Sequence, residues 1–314
     1  MFDSKSVIMG HWLKAAVLCL TVGWAWGFTR LAPAQNVPNA AASSQNQSRS
    51  EATQTPATGQ AVSPYAGLTR QEVEEFLLKA KVIRTWKLSV GVAETKRATL
   101  DNGKLKHDAH IQTVDISKSS FVTPKGTEVG FRDYYKYNIA AYELAKLLDF
   151  QMIPPSVERS VAGTMGSLTW WIDDAMMELD RRKRNIEPPD ITRWNQQVNM
   201  RNVFSQLVYD TDPNQGNILI TKDWRMWRID STRAFRTKKT LDNPKTLLMC
   251  DRQLLAKLRE LNKDVVKEKL KPYLTNWEID GLFSRRDLIV KFFDNKAAQK
   301  GESAALFDYP RDPD

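Results

Sequence analysis

The residues at positions 209–217 are YDTDPNQGN, and the apolar hairpin that follows them ends in RID at positions 228–230. Asp212 and Asn217 are five residues apart in this loop, and a tight hairpin returns Asp230 to the level of Asn217. Phosphoryl transfer needs a carboxylate that orients the attacking hydroxyl and further oxygen ligands that hold a metal ion on the phosphates. If the three side chains face one cleft, they supply these groups. The spacing therefore predicts a metal–phosphate site near the centre of the chain.

Each of these residues taken alone has an ordinary structural interpretation. Asp210 and Asp212 could form Asx turns around Pro213. Asp230 could be a strand-end carboxylate that pairs with Arg233. Only the joint order of the loop, the hairpin and the second aspartate favours a functional site.

Most strands are predicted before this loop and most helices after it. Thr69 and Glu72 can form a capping box at the start of the first helix, and the alternation at 86–92 is typical of a half-buried strand. The predicted strands are 86–92, 97–100, 110–114, 157–162, 167–172, 217–221 and 225–229, and the predicted helices are those that begin at Thr69 and those at 134–148, 194–208, 251–261, 263–271 and 284–295. This order predicts an α+β fold, with a β-rich small lobe at about 65–172 and a mainly helical large lobe at about 173–314.

The ordered set of a helix, an Asp-x-x-x-x-Asn loop, a hairpin and Ile229-Asp230 resembles the catalytic domains of atypical protein and lipid kinases. These include the phosphatidylinositol 3/4-kinases, the HipA-like toxin kinases and the secretory-pathway kinases. The last group looks most similar, because residues 138–148 and 150–159 resemble its helix and the VPP…R segment behind that helix. The resemblance covers about residues 86–235 and implies a bilobal kinase-like fold for residues 65–314.

By this resemblance, Asp212 would be the catalytic carboxylate, and Asn217 and Asp230 would bind the metal ion. The implied cofactors are ATP and Mg²⁺ or Mn²⁺. The block at 89–99 would lie over the phosphates, and the segment at 167–171 would form the hinge beside adenine. The implied cofactor-binding residues of the small lobe are Gly91, Arg97, Gln112, Asn138, Leu168 and Trp170.

Two positions depart from the pattern of these kinases. Gln112 stands where the third strand should carry a lysine that grips the phosphates, and Asn138 stands where the next helix should offer that lysine a glutamate. The two amides can hydrogen-bond each other, but they supply no positive charge. Arg97, Lys104 or Lys106 would have to supply it.

Three functions therefore remain open. The first is a kinase-like enzyme that binds a metal–nucleotide complex and transfers phosphate to a hydroxyl acceptor. The second is a catalytically impaired pseudokinase that acts as a nucleotide-binding or regulatory partner. The third is a non-enzymatic basic protein of the cell envelope.

The N-terminal 64 residues predict export. Two lysines precede an apolar run at 15–28, and APA at 32–34 supplies the small residues that a signal peptidase needs. Residues 1–34 are therefore predicted to be a signal peptide, with an uncleaved membrane anchor as the alternative. Residues 35–64 have hardly a large apolar side chain and predict a disordered linker. The expected location is periplasmic or secreted, or anchored by the N-terminal segment.

The formal charge of +9 would fall to +7 if the predicted leader were removed with its three cations and one anion. A basic surface suits phosphates, anionic lipids or nucleic acid, and no specific nucleic-acid motif is present. The phosphate acceptor stays open among proteins, lipids, sugars and small molecules. Cys250 would be the single cysteine of the processed chain, so no internal disulfide is expected.

Overall fold

The structure, a computed structural model, describes residues 65, 67–88, 95–123 and 126–311. The predicted signal peptide, the whole predicted linker and Gly91 lie outside these residues, so the domain boundaries and the export signal stay predictions. No helix within the described residues is long and apolar enough to cross a membrane.

Within these residues the first half of the chain is rich in strands and the second half is mainly helical. The strands are β1 (Lys81–Lys87), β2 (Lys96–Asp101), β3 (Lys106–Gln112), β4 (Asp115–Thr123), β5 (Gly126–Tyr134), β6 (Ser156–Val161), β7 (Thr164–Trp170), β8 (Met176–Met177), β9 (Ile218–Ile220), β10 (Met226–Arg228), β11 (Cys250–Asp251) and β12 (Leu306–Phe307). The helices are α1 (Arg70–Lys79), α2 (Lys136–Leu147), α3 (Glu178–Lys183), α4 (Ile191–Val208), α5 (Arg252–Glu260), α6 (Lys263–Leu270), α7 (Asn276–Lys300) and α8 (Glu302–Ala305). The predicted α+β class is confirmed.

The small lobe is built on an antiparallel sheet with the strand order β1-β2-β3-β7-β6. Successive side chains of a strand point to opposite faces. On one face Ala109 pairs with Trp170 and Ile111 with Leu168, and these side chains form a core with α1. The opposite face carries Gln112 and Ser167, which pair in the sheet. Helix α2 lies on this side of the sheet, as the hydrogen bond between Asn138 and Gln112 shows.

Helix α1 begins where the sequence predicted. The Thr69 hydroxyl accepts a hydrogen bond from the backbone of Glu72, and the Glu72 carboxylate accepts one from the backbone of Thr69 at 2.8 Å, which completes the capping box. Its apolar side chains Val73, Phe76 and Leu77 are buried against the sheet.

A hairpin of β4 and β5 separates the third strand from α2. The sequence analysis assigned no element here, because β4 is rich in serine and charged residues and shows no clear apolar alternation. The backbone N–H of Tyr134 at its end donates to the carbonyl of Thr232, so the hairpin is joined directly to the segment after β10.

The large lobe packs α4, α5, α6 and α7 around a shared core. The side chain of Arg285 in α7 is fully buried and donates to the carbonyls of Leu207, Arg236 and Lys238. Burial lowers the pKa of Arg285 to about 9, so the guanidinium remains charged at neutral pH. It thereby fixes the end of α4 to the segment that follows β10.

Most predicted elements agree with the structure to within a few residues, and three differ more. β1 begins at residue 81, five residues early, because it pairs with β2 up to residue 101. β3 likewise begins four residues early, at residue 106, and ends at residue 112. α7 begins eight residues early at 276, where Thr275 and Glu278 form a second capping box.

Candidate active site

The loop after α4 is anchored by a buried ion pair. Arg228 Nη2 of β10 lies 2.7 Å from Asp210 Oδ2, and both side chains are only 3% exposed. The other oxygen of Asp210 accepts a hydrogen bond from the backbone N–H of Asp212 at 3.0 Å. Asp210 therefore holds the loop against β10. The side chain of Asp212 takes no part in this ion pair.

Asn214 shapes the middle of the loop. Its side-chain oxygen accepts hydrogen bonds from the backbone N–H groups of Gly216 at 2.8 Å and Asn217 at 3.1 Å, and these bonds close a short 3₁₀ turn. The Asn217 amide nitrogen donates to the carbonyl of Asp212 at 3.2 Å. Because this bond involves the side-chain nitrogen of Asn217, the side-chain oxygen is available to bind a metal ion.

The hairpin of β9 and β10 brings Asp230 next to Asn217. The backbone N–H of Ile229 donates to the carbonyl of Asn217 at 2.9 Å. Asp230 has a left-handed backbone with φ of 55°, and its Oδ1 accepts a hydrogen bond from the Thr232 hydroxyl at 2.8 Å. The predicted return of Asp230 to the level of Asn217 is confirmed.

The candidate catalytic carboxylate is accessible. Asp212 has 37% of its side chain exposed, Oδ1 accepts a hydrogen bond from the Asn214 amide at 3.1 Å, and Oδ2 lies 3.6 Å from Arg233 Nη1. A carboxylate in this position can accept the proton of a hydroxyl that approaches from solvent.

The small-lobe half of the site is a buried network of neutral side chains. The Asn138 amide donates to Gln112 Oε1 at 2.5 Å and to the Ser167 hydroxyl at 3.1 Å, and its oxygen accepts from the backbone N–H of Ser231 at 2.7 Å. The predicted contact between the two amides is confirmed. Asn138 thus ties β3 and β7 to the residue after Asp230.

Similarity to solved structures supports the kinase-like fold that the sequence predicted. A structure of hydra Fam20 with sugar aligns with a TM-score of 0.60 and 15% identity, over 79% of this chain and 96% of that chain. The Golgi casein kinase aligns with a TM-score of 0.58 and 12% identity, over 78% of this chain and 80% of its own. A structure of that kinase with Mn/ADP bound gives a TM-score of 0.55 at 12% identity, with the same coverage. The chain has an atypical kinase-like fold. The sequence matches no family model and no curated protein.

In this kinase-like fold the donor set suits a hard divalent cation. Asn217 and Asp230 offer oxygen ligands, which Mg²⁺ and Mn²⁺ accept together with phosphate oxygens. Asp133 at the end of β5 adds a buried carboxylate oxygen that has no hydrogen-bond partner among the described residues. Burial raises the pKa of Asp133. The hydrogen bond from Thr232 and the positive charges of Arg233 and Arg236 lower it, and the negative charge of Asp230 raises it.

The described residues contain no group of three or more histidine, cysteine, aspartate or glutamate side chains able to hold a metal ion by themselves. A metal ion held by Asn217 and Asp230 would therefore take its other ligands from the nucleotide phosphates or water. This is consistent with a kinase-like site, where the ion arrives with the nucleotide.

The other small-lobe candidates make their contacts outside the Gln112 network, although Arg97, opposite His110 in the sheet, shares a face with Gln112. Arg97 binds Asp108, with Nη2 2.5 Å and Nε 2.6 Å from its Oδ2, and stacks over Trp171 at 3.9 Å. The side chains of Leu168 and Trp170 are 0% and 3% exposed and lie in the core beside α1. Because that core is on the opposite face of the sheet from Gln112, only the backbone of these two residues remains for contact with a nucleotide in the cleft.

The sequence analysis missed several residues that the structure places at the site. His110 shares a sheet face with Gln112; burial lowers its pKa and the charge of Asp230 partly opposes that shift. Glu128 on β5 bonds Arg236 Nε at 2.7 Å and Arg233 Nη2 at 3.3 Å. Arg233 was a candidate partner of Asp230, but it forms ion-pair contacts with Asp212 and Glu128. No local sequence pattern identified Glu128, because its partners are more than 100 residues away along the chain.

A cavity of about 140 Å³ lies beside the loop. Asn217, Asp210 and Arg228 line it, whereas Asp212 and Asp230 do not. It is therefore separate from the face of the loop that carries the candidate catalytic carboxylate.

Proposed function

We propose that the protein binds ATP with Mg²⁺ or Mn²⁺ and transfers phosphate to a hydroxyl group of an acceptor. The observation that carries the proposal is the hydrogen bond between Ile229 and Asn217, which sets Asp230 beside Asn217 with the exposed Asp212 on the same loop. The Mn/ADP bound to the structurally similar Golgi casein kinase supports this choice of cofactors.

Each residue would have one task in this reaction. Asp212 orients the acceptor hydroxyl and takes its proton at the carboxylate. Asn217 and Asp230 hold the cation, which neutralises charge on the phosphates when bound. Asn138 positions Asp230 through the backbone of Ser231.

A nucleotide-binding pseudokinase is the second candidate. It is favoured by Gln112 and Asn138, whose amides keep the geometry of the small lobe without a positive charge. Under this proposal the protein binds the metal–nucleotide complex and regulates a partner, and phosphate transfer is absent.

The acceptor and the location are also proposals. A protein, lipid, sugar or small molecule could present the hydroxyl, and the sugar bound to hydra Fam20 keeps sugars among the candidates. The N-terminal segment supports export to the periplasm or the medium, or anchoring by an uncleaved leader. The positive net charge suits an anionic surface.

Calorimetric titration of the full chain with ADP in the presence of Mn²⁺ tests the binding step. We expect saturable, Mn²⁺-dependent binding that is lost in Asp230→Asn and kept in Asp212→Asn. Asp223→Asn, at the exposed turn of the same hairpin, is the matched control and should bind like the wild type.

Phosphate transfer then separates the two candidates. Transfer from ATP that is present in the wild type and absent in Asp212→Asn supports the enzyme. Binding without transfer under any metal supports the pseudokinase. The absence of metal-dependent nucleotide binding by the wild type would exclude both.

A further inference from the structure

Within the described part of the small lobe, the two side chains at the expected lysine and glutamate positions are uncharged. Gln112 and Asn138 are buried and neutral, and Gln112 Nε2 has no hydrogen-bond partner among the described residues. A phosphoryl group carries negative charge throughout its transfer, and kinases place a fixed cation against it. A cation other than the expected lysine is therefore needed at this site.

The cations considered from the sequence are either paired with other groups or far from Gln112. Arg97 lies opposite His110, on the same sheet face as Gln112, but its guanidinium is paired with Asp108 and stacked over Trp171. Lys106 pairs with Asp101 at the opposite end of β3, six residues from Gln112, which is about 20 Å along an extended strand. Lys104 lies in the turn just before Lys106 and is equally distant.

Arg233 is a positively charged side chain that lies next to Asp212, the candidate catalytic carboxylate. Its Nη1 lies 3.6 Å from Asp212 Oδ2, which is an ion-pair contact but too long for a good hydrogen bond. Its Nη2 lies 3.3 Å from Glu128 Oε2, and its guanidinium stands 5.1 Å from the centre of the Phe131 ring. The hairpin of β4 and β5 therefore holds this side chain at the site.

The hydrogen-bonding capacity of Arg233 is only partly used. Its Nε is buried and has no partner among the described residues, although the side chain as a whole remains 21% exposed. Neighbouring Arg236, by contrast, bonds Glu128, Thr211 and the carbonyl of Ala234. A guanidinium with unpaired N–H donors and partial exposure to solvent can bind an anionic ligand without unfolding the segment that carries it.

We infer that Arg233 binds the γ-phosphoryl group of the nucleotide and supplies the positive charge that Gln112 does not. The inference rests on the proposed function and adds a residue to it. The bond from phosphorus to the ADP oxygen breaks while the bond to the acceptor oxygen forms, and Asp212 takes the acceptor proton. Arg233 exchanges no proton, because it only donates hydrogen bonds to the phosphoryl oxygens. Glu128 is a positioning residue that keeps Arg233 in place.

The test compares two nucleotides that differ at the γ-position. The full chain, with Mn²⁺ present, is titrated with ADP and with the non-hydrolysable ATP analogue AMP-PNP. Arg233→Met should lower the affinity for AMP-PNP about ten-fold or more, because a charge-assisted hydrogen bond is lost. Affinity for ADP should remain close to that of the wild type. Arg233→Lys should fall between the wild type and Arg233→Met for AMP-PNP.

Two further variants complete the experiment. Arg132→Met is the matched control, because Arg132 lies on the same hairpin but pairs with Asp115. It should leave both affinities unchanged. Glu128→Gln should weaken only AMP-PNP binding, and by less than Arg233→Met does.

The outcomes separate this inference from the proposed function. If the wild type binds both nucleotides and Arg233→Met binds AMP-PNP as well as or better than the wild type, Arg233 does not contact the γ-phosphoryl group. Equal losses for ADP and AMP-PNP would show a general structural role and overturn the inference alone. A wild type that binds neither nucleotide would overturn the inference together with the proposed function.

Discussion

The two lobes each place one buried polar pair beside the cleft, and the pairs differ in charge. In the large lobe, Asp210 and Arg228 form an ion pair at 2.7 Å that anchors the loop carrying Asp212. In the small lobe, Gln112 and Asn138 form an amide contact at 2.5 Å that ties β3 to α2. Both pairs fix the geometry around them, but only the large-lobe pair involves charge. A neutral pair and a charged pair can thus both fix the geometry around them.

The largest expected effect comes from breaking the charged pair. Arg228→Met leaves Asp210 buried without a partner, and we expect the free energy of unfolding to fall by about 3–5 kcal/mol. Adding Asp210→Asn should recover part of this loss, because the buried charge is then removed. Urea unfolding of the single and double variants measures both effects.

An exposed ion pair provides the control for that experiment. Arg252 pairs with Glu302 at 2.7 Å, but 45% and 68% of the two side chains are exposed. Arg252→Met should therefore cost less than about 1 kcal/mol. If Arg228→Met cost no more than Arg252→Met, the buried pair would not anchor the loop.

The second effect comes from converting the neutral pair into a charged one. Gln112→Lys and Asn138→Glu should each destabilise the protein, because each buries one charge. The double variant should be more stable than the sum of the single effects predicts, with a coupling free energy of about 2 kcal/mol. A double-mutant cycle by urea unfolding measures it, and strict additivity would contradict the contact between these side chains.

A smaller effect tests the backbone beside the neutral pair. A Cβ added to Gly166 on β7 would lie 2.6 Å from the carbonyl oxygen of Gln112. Gly166→Ala should therefore displace β3 and cost about 1.5 kcal/mol, as other small overpacking changes do. Thermal unfolding measures this loss, with the exposed Ser160→Ala on β6 as the control. A stability equal to that of the control would show that β3 and β7 are free to move apart.

The smallest effect should be equal in the two lobes. Thr69 caps α1 and Thr275 caps α7, and both caps are exposed capping boxes. Thr69→Ala and Thr275→Ala should each lower the free energy of unfolding by about 1 kcal/mol. Exposed Thr240→Ala serves as the control. A loss in only one of the two variants would show that the lobes do not unfold together.

Local sequence features predicted the elements and residues whose contacts lie close in the chain. The capping box of α1 needs only Thr69 and Glu72, and the hairpin that returns Asp230 to Asn217 spans fewer than fifteen residues. Alternation along β7 also separates Leu168 and Trp170 from Ser167. It does not tell which face meets the cleft, and the sequence analysis chose side chains that lie in the core with α1.

The sequence by itself thus determined the α+β class, the order of Asp212, Asn217 and Asp230 along the chain, and the neutral character of Gln112 and Asn138. Only the tertiary structure decided which sheet face lies toward α2 and which cation reaches Asp212. Arg233 is held by Glu128 from a hairpin 105 residues earlier. A contact at that separation has no periodic or spacing signal, because it depends on how the two lobes pack and not on the local conformation of either segment.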